Sequence, residues 1–334
     1  MASTSLERQV GDLLSAARVP GLAVAVVRNG KLDHVVSLGL RDVRSRAPID
    51  PHTVFEAASL SKPVFAYAIL KMVDAGMLSL DEPLPVGDLM VPDPRMSQIT
   101  VRHILSHRSG LPNWQSESRP LRTYFKPGAR FSYSGEGFAL LQKVVEGRTD
   151  EALEAVMDRL VFGPLGMLES SYVWRESFES NHAAPHDEGL GLRPKFKPTS
   201  ANAAFSLHTT AEDYGRFLEA VMSGDGLAPA TARYWLEPAV HPPVDGFLSL
   251  DGIPRQLASD VAWGLGWGLE PSRSAFFHWG ANDHARAYVI GCPLDGRAFV
   301  AFMNGENGFA LVPTIAHFAA PGDHPSFRWL GIVE

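Results

Sequence analysis

The sequence predicts an α+β protein, in which an antiparallel sheet assembled from both chain ends is flanked by helices and a mostly helical lobe is inserted between. Two observations support this fold class: short β-rich runs occur near both termini, and the segment between them has mainly helical periodicity. The chain of 334 residues is long for one hydrophobic core. We therefore expect one lobe from residues 1–58 and 250–334, a helical lobe from residues 59–249, and the active site at their junction.

The N-terminal part is predicted to form a helix followed by a β-hairpin. Residues 4–7 have the spacing of a capping box, and apolar residues then recur at helical intervals to about Arg18. Residues 22–27 and 32–38 are β-rich, and Asn29-Gly30 between them is a strong hairpin signal. This end of the chain should supply one helix and two sheet strands.

The C-terminal part is predicted to return to the sheet. Residues 275–279, 287–290 and 298–302 have the composition of strands, and Asp295-Gly296 should turn the last pair. Residues 309–319 should form a closing helix. Helices are predicted between the two ends at residues 62–75, 101–106, 136–146, 151–161 and 211–222. Residues 172–204 have little periodicity and are expected to form a long ordered loop over the junction.

Composition excludes several classes of function. The net charge of −7 and the lack of a basic run give no reason to expect nucleic acid as a partner. Cys292 is the only cysteine, so no intramolecular disulfide can form. The N-terminus lacks the features of a secretory signal, and the apolar run at residues 22–27 is too short to span a membrane. We expect a cytoplasmic protein with no membrane partner.

The stretch Phe55-Glu-Ala-Ala-Ser-Leu-Ser-Lys-Pro-Val64 carries the first candidate for catalysis. Residues three apart share a helix face, so Lys62 can reach the hydroxyl of Ser59, whereas Ser61 points elsewhere. Pro63 belongs in a first helical turn, which puts Ser59 near a helix N-terminus where its N–H can face an oxyanion. A lysine pKa of about 10.4 must fall for the amine to act as a base, and burial lowers it. The alternative is a serine cap on a core helix with a solvated lysine.

Two later segments carry further candidates. Tyr133 lies in a Pro/Gly-started loop that leads into a predicted helix, where its hydroxyl can share a proton with Lys62. Residues 278–281 end a predicted strand, where Gly280 allows close approach of a ligand and the N–H of Ala281 can donate to an oxyanion. Taken alone, a tyrosine such as Tyr133 is more often a half-buried packing residue, and residues 278–281 have the features of a strand end followed by a turn.

The three motifs, in this order, resemble the serine β-lactamase and penicillin-binding-protein superfamily, on its class C and family VIII esterase branch. Other matching segments are residues 100–112, 127–134, 162–167, 206–213 and 264–268, so the resemblance covers most of the chain. It implies that Ser59 is the acyl-enzyme nucleophile, Lys62 its proton acceptor and Tyr133 a partner base and acid. It also implies an oxyanion hole formed by the N–H groups of Ser59 and Ala281.

The chain departs from lactam-cleaving relatives at two positions. Gly135 stands where they usually carry an asparagine, and His278-Trp279-Gly280 stands where they usually carry a Lys-Thr/Ser-Gly triplet. Losing these polar contacts favours plain esters, because polar pairing carries most discrimination of this kind. We expect His278, Trp279, Gly280, Gly135 and Trp114 to contact substrate, in a pocket lined by the aromatic residues Trp114, Tyr124, Phe125, Trp263, Trp267 and Trp279.

The sequence therefore predicts a cofactor-free serine hydrolase, with a carboxylesterase for small or medium acyl esters as the leading interpretation. The alternatives are a D-amino-acid amidase or peptidase, an acyltransferase, a β-lactamase, and a catalytically silent binding protein on the same fold. The partner should be a small-molecule ester or amide. No metal is expected, because the histidine pairs 103/107 and 182/186 lack the glutamate of the zincin motif, and a structural role is favoured for the first pair. The α/β-hydrolase motif Gly-x-Ser-x-Gly is absent.

Overall fold

The computed structural model describes residues 2–85 and 93–333, and its centre is an eight-stranded sheet built from both chain ends. The strand order is β3-β2-β1-β10-β9-β8-β7-β6, and every pairing is antiparallel. This confirms the predicted α+β class. The strands are β1 (Gly21–Arg28), β2 (Lys31–Asp42), β3 (Ala47–Pro48), β4 (Phe55–Glu56), β5 (His208–Thr209), β6 (Ala262–Trp263), β7 (Gly268–Glu270), β8 (Ala275–Ala281), β9 (Arg286–Cys292) and β10 (Arg297–Met303).

The predicted helices are present with shifted ends. The first begins at Ala2, ahead of the capping-box motif, and the one predicted at residues 151–161 passes into a π-helical turn, Asp158–Phe162. The helices are α1 (Ala2–Ala17), α2 (Ser61–Asp74), α3 (Val101–Leu105), α4 (Gly135–Thr149), α5 (Leu153–Met157), α6 (Gly163–Leu165), α7 (Ala211–Ser223), α8 (Pro229–Trp235), α9 (Val312–Ala319) and α10 (Pro325–Trp329). No helix in the described ranges is long and apolar enough to cross a bilayer.

The two faces of the sheet pack against different helices. Successive side chains of a strand point to opposite faces, so Val24 and Val26 of β1 belong to the core cluster with α1 and α9, while Ala23 and Ala25 face the opposite side, where α7 packs on β1. The face toward α7 carries the smaller side chains of β1. The 3₁₀ turn that precedes α2, Ala58–Leu60, contacts strands β8 and β9.

The predicted hairpin between β1 and β2 is confirmed. Asn29 and Gly30 both have positive φ angles, 53° and 72°, as a type I′ turn requires. Strands β3 to β7, by contrast, were not predicted. Each has only two or three residues, which is too short to show a period, so tertiary pairing determines them.

The long segment at residues 172–204 forms the expected loop and contains one 3₁₀ turn, Glu176–Asn181. The lobe boundaries at residues 58/59 and 249/250 stay a prediction. Helix α7 lies inside the middle segment yet packs on β1, β2 and β10, so the middle segment also contributes a helix to the sheet layer.

Candidate active site

Ser59 lies in a short 3₁₀ turn, Ala58–Leu60, between β4 and α2. Ala58 has a positive φ of 47°, a conformation that non-glycine residues rarely adopt and that recurs at functional sites. Ser61 is buried, and its hydroxyl donates to the Ala58 carbonyl at 2.6 Å and accepts from the Leu207 N–H at 3.0 Å. Ser61 therefore holds the turn in place, while Ser59 faces the main cavity.

Lys62 is in the first turn of α2 and is 1% exposed. Its Nζ lies 3.1 Å from Ser59 Oγ and donates to the Ala204 carbonyl at 2.8 Å. Burial lowers the pKa of Lys62 well below its ordinary value, because the charged ammonium loses its hydration. A neutral amine keeps a lone pair, so this contact can carry the serine proton to Lys62.

Tyr133 is buried beside this pair, with Lys62 Nζ 4.7 Å from the centroid of its ring. Its hydroxyl has no hydrogen-bond partner that meets normal geometry among the described residues. Burial raises the pKa of Tyr133 and outweighs the opposing effect of the nearby Ser59 hydroxyl, so the phenol stays protonated. The structure thus brings Ser59, Lys62 and Tyr133 together as the sequence predicts.

Two buried histidines flank Tyr133. The His107 ring centroid is 4.2 Å from that of Tyr133, and the His278 ring centroid is 6.1 Å away. Burial lowers the pKa of His107 well below its ordinary value and that of His278 to about 3, so both rings are neutral. His278 is 0% exposed, packs beside Tyr133 and is absent from the cavity lining, so its expected contact with substrate stays a prediction. From the sequence, the place of His107 inside the 100–112 segment favours a structural role, so its contact with Tyr133 was not predicted.

Strand β8 passes directly beside the serine turn. A Cβ atom added to Gly280 would lie 2.4 Å from the Ala57 carbonyl oxygen, closer than any real contact, so only glycine allows this approach. The next residue, Ala281, lines the same cavity as Ser59. The two residues expected to form an oxyanion hole therefore face one space.

The cavity in front of Ser59 has a volume of about 890 Å³. Trp114 and Trp279 line it, as expected, whereas Tyr124, Phe125, Trp263 and Trp267 do not. Trp263 packs behind Tyr133 and His278, and Trp267 lies in the core against Phe276. The lining residues are Glu56, Ser59, Lys62, Asn113, Trp114, Tyr133, Pro185, Arg193, Pro194, Lys195, Phe196, Phe205, Phe247, Trp279, Ala281, Asn282, Asp283 and His284.

Gly135 starts helix α4 outside the cavity lining, under the indole of Trp114. A Cβ atom on Gly135 would lie 2.5 Å from that ring. Its N–H donates to the Asn113 side chain at 3.0 Å. The Trp114 ring therefore occupies the space that a longer side chain at position 135 would need. Where lactam-cleaving relatives usually carry an asparagine, this chain has a glycine covered by the Trp114 ring.

Several polar lining residues were not predicted from the sequence. Glu56 is three residues before Ser59, and its carboxylate accepts from the Asn282 amide at 3.0 Å. Arg193 and Lys195 come from the long loop and pair with Asp187 and Glu179, respectively. Loop residues carry no periodic pattern, so only Glu56, inside the serine motif itself, could have been found from the sequence.

No group of three or more histidine, cysteine, aspartate or glutamate side chains within residues 2–85 and 93–333 could hold a metal ion. The two histidines of the 103/107 pair act separately. His103 Nδ1 accepts the Thr100 N–H at 3.3 Å in a capping box, while His107 packs on Tyr133.

Comparison with known proteins identifies the family of this chain. The sequence profile of the family described as Beta-lactamase matches residues 6–321. The chain belongs to the beta-lactamase family. Esterase EstB of Burkholderia gladioli is 28% identical to it over 281 residues, which cover 68% of this chain and 71% of the relative. A beta-lactamase of Yersinia enterocolitica is 24% identical over 277 residues, covering 79% and 68%. This beta-lactamase family member is thus a serine hydrolase of the beta-lactamase and esterase type.

Solved structures of the beta-lactamase and penicillin-binding-protein fold superpose on nearly the whole chain. The octameric penicillin-binding protein homologue from Pyrococcus abyssi covers 95% of this chain, and 77% of its own chain is matched, with a TM-score of 0.79 and 22% identity. A class C beta-lactamase covers 97%, with 99% of its own chain matched, a TM-score of 0.75 and 20% identity. These similarities confirm the fold.

Proposed function

We propose that this chain is a carboxylesterase that hydrolyses small or medium acyl esters through an acyl-enzyme on Ser59. The observation that carries the proposal is the 3.1 Å contact between Ser59 Oγ and the buried Nζ of Lys62, next to Tyr133 and at the wall of the cavity. A buried amine with a lowered pKa is the usual way to activate a serine without a histidine base.

In the acylation step, Lys62 takes the hydroxyl proton as Ser59 Oγ attacks the ester carbonyl. The negative charge on the carbonyl oxygen is met by the backbone N–H groups of Ser59 and Ala281. Tyr133, kept protonated by burial, gives its proton to the departing alcohol oxygen and is reprotonated from Lys62. Water then attacks the ester on Ser59 by the reverse sequence of proton transfers, which releases the acid and restores the serine.

The lining of the cavity supports esters over substrates that carry a carboxylate. The position of the family lysine on β8 holds His278, which is buried and neutral. The two loop cations of the lining, Arg193 and Lys195, already contact acidic partners. Apolar walls from Trp114, Phe205, Phe247 and Trp279 remain for an acyl or aromatic group. The match to an esterase among the relatives points in the same direction.

A D-amino-acid amidase or peptidase is the second candidate, and one observation favours it. Glu56 and Asp283 both line the cavity, and carboxyl groups there could bind the ammonium group of an amino-acid amide. Burial raises the pKa of Glu56, however, which weakens its negative charge, so we rank this activity below ester hydrolysis. An acyltransferase would use the same acyl-enzyme and differ in accepting an alcohol or amine in place of water.

The test compares the wild-type protein with Ser59→Ala on nitrophenyl esters of graded acyl length, a chromogenic cephalosporin and D-alanyl nitroanilide. We expect ester turnover to exceed the other two, and Ser59→Ala to lose at least roughly 10³-fold in kcat. Ser97→Ala, at an exposed serine, is the control and should retain turnover. Mass spectrometry after rapid quenching should find the acyl group on Ser59. Ester turnover that survives in Ser59→Ala would refute the mechanism, and faster anilide turnover would favour the amidase.

A further inference from the structure

The backbone N–H groups of Ser132, Tyr133 and Ser134 all donate hydrogen bonds, and His107 accepts two of the three. Ser132 N–H donates to the His107 carbonyl at 2.9 Å, and Ser134 N–H donates to His107 Nδ1 at 3.1 Å. The middle N–H, that of Tyr133, donates to the Phe247 carbonyl at 2.9 Å. His107 thus binds the residue on each side of Tyr133.

The ring of His107 also packs on the Tyr133 ring. The two centroids are 4.2 Å apart with an interplanar angle of 31°, and the histidine is 0% exposed. The backbone of His107 has a φ of 54°, a left-handed conformation in which histidine, asparagine and aspartate are enriched among non-glycine residues. This backbone conformation accompanies the placement of both the carbonyl and the ring against the Tyr133 segment.

The hydrogen bond from Ser134 also determines the protonation of the ring. Nδ1 acts as an acceptor, so in the neutral ring the proton is on Nε2. Burial, together with the nearby Lys62, lowers the pKa of His107 well below its ordinary value and keeps the ring neutral. A protonated ring would lose the Nδ1 acceptor and add a positive charge near Lys62.

We propose that His107 is a positioning residue for the reaction, which holds the Tyr133 hydroxyl where it can pass a proton to the leaving group. His107 does not line the cavity, so it acts through Tyr133 and does not contact substrate. This inference rests on the proposed function, in which Tyr133 is the general acid.

The proposal predicts a dependence on the leaving group that a purely structural role would not produce. A nitrophenolate leaves without a proton, whereas an alkoxide needs one, so misplacing the general acid slows alkyl esters more than nitrophenyl esters. The ratio kcat/KM reports the acylation step, in which the leaving group departs. The difference between the two ester types therefore isolates the position of Tyr133 from general damage to the protein.

The experiment uses two variants of His107, one that keeps a hydrogen-bond acceptor near the position of Nδ1 and one that does not. His107→Asn keeps an acceptor near the place of Nδ1 and tolerates the left-handed backbone, whereas His107→Gln places its amide near Nε2 and loses that acceptor. His103→Asn is the matched control, because His103 Nδ1 also accepts a backbone N–H, that of Thr100, without a ring contact to Tyr133 in the part of the chain described. For each variant, kcat/KM is measured on a nitrophenyl ester and on the ethyl ester of the same acid, together with the melting temperature.

We expect the loss in kcat/KM caused by His107→Gln to be roughly 10²-fold larger on the ethyl ester than on the nitrophenyl ester. In His107→Asn this difference between the two esters should be much smaller. His103→Asn should keep the wild-type ratio of the two kcat/KM values. Equal losses on both esters, or equal behaviour of the two His107 variants, would overturn the inference. If His107→Gln does not fold, His107→Ala, which also removes the Nδ1 acceptor of the Ser134 N–H, takes its place, and equal losses on the two esters in that variant contradict positioning. Turnover that survives in Ser59→Ala refutes the proposed function instead, so the two failures are distinguishable.

Discussion

At the scale of single residues, burial determines the protonation state of each group around Ser59. It lowers the pKa values of Lys62, His107 and His278 and raises that of Tyr133, so each of these groups is biased toward its neutral form. A set of uncharged groups can exchange one proton without creating two like charges in an apolar setting. The same desolvation is a cost to folding, as is common at active sites.

Replacing Lys62 by methionine tests this cost. The folded pKa of Lys62 lies below the unfolded value of about 10.4, so between those two values the unfolded chain binds more protons and wild-type stability rises with pH. Methionine does not titrate, so Lys62→Met should lack that rise. The variant also loses the hydrogen bond to Ala204, which changes the free energy of unfolding by a similar amount at every pH. The slope of that free energy against pH therefore reports the titration of Lys62 alone.

The measurement is urea unfolding of both proteins at several pH values from about 7 to 10. The free energy of unfolding of the wild type should increase relative to that of the variant as pH rises. The variant should also lose about 10²-fold to 10⁴-fold in turnover. Lys71→Met, on the same helix, is the control for turnover and should remain active. Parallel pH dependences of stability would show that Lys62 is charged in the folded protein.

At the scale of elements, the serine turn is held between two strand ends. Ala57 N–H donates to the Leu207 carbonyl at 2.8 Å on one side, next to the pairing of β4 with β5. On the other side the Ala57 carbonyl lies against Gly280 of β8. The spacing between Ser59 and Ala281 therefore depends on the close approach of Gly280 to the Ala57 carbonyl.

Gly280→Ala should separate these elements. The added methyl group meets a backbone oxygen at 2.4 Å and cannot be relieved by a side-chain rotation, so β8 must move. We expect a loss of about 1–3 kcal/mol in the free energy of unfolding and about 10²-fold in kcat/KM. Gly147→Ala in α4 is the matched control, because a Cβ there meets nothing within 4 Å, and it should stabilise the helix by about 1 kcal/mol. Wild-type kinetics in Gly280→Ala would contradict a role for this spacing.

At the scale of the whole molecule, the C-terminal helix α10 supports the cavity wall. Glu270 of β7 accepts from the Ser326 N–H at 3.1 Å and its hydroxyl at 2.6 Å, and its second oxygen is 3.0 Å from His324 Nδ1. At the other end of α10, the Trp329 ring packs on Trp279 with centroids 5.8 Å apart. A buried polar contact on one side and an aromatic contact on the other join the chain end to the site.

Glu270→Ala should loosen this attachment. Alanine removes both carboxylate oxygens, so the Ser326 N–H and hydroxyl lose this buried acceptor. We expect a loss of about 1–3 kcal/mol in the free energy of unfolding, measured by urea titration. Asp251→Asn, which removes an exposed ion pair with Arg119, should change stability by less than about 1 kcal/mol. Equal losses in the free energy of unfolding for the two variants would show that the buried contact stabilises the protein no more than an exposed ion pair.

Much of the fold was predictable because its signals are local. The β1–β2 turn depends on Asn29-Gly30, and the register of β1 depends on alternating side chains. The strand pairs β4–β5 and β6–β7 were not predictable, because two or three residues contain no period. Similarly, Arg193 and Lys195 reach the cavity by a loop path that no propensity describes.

Turn chemistry, periodicity and spacing are properties of neighbouring residues, so the fold class and the three motifs around Ser59, Tyr133 and His278 could be inferred from the sequence. The surroundings of these motifs depend on how the whole chain folds. The tertiary structure buried His278, placed Trp114 over Gly135 and put His107 against Tyr133, because packing between residues far apart in the chain determines desolvation and space. Those two quantities govern the pKa values and the shape of the site, so the tertiary structure decides how the motifs can react.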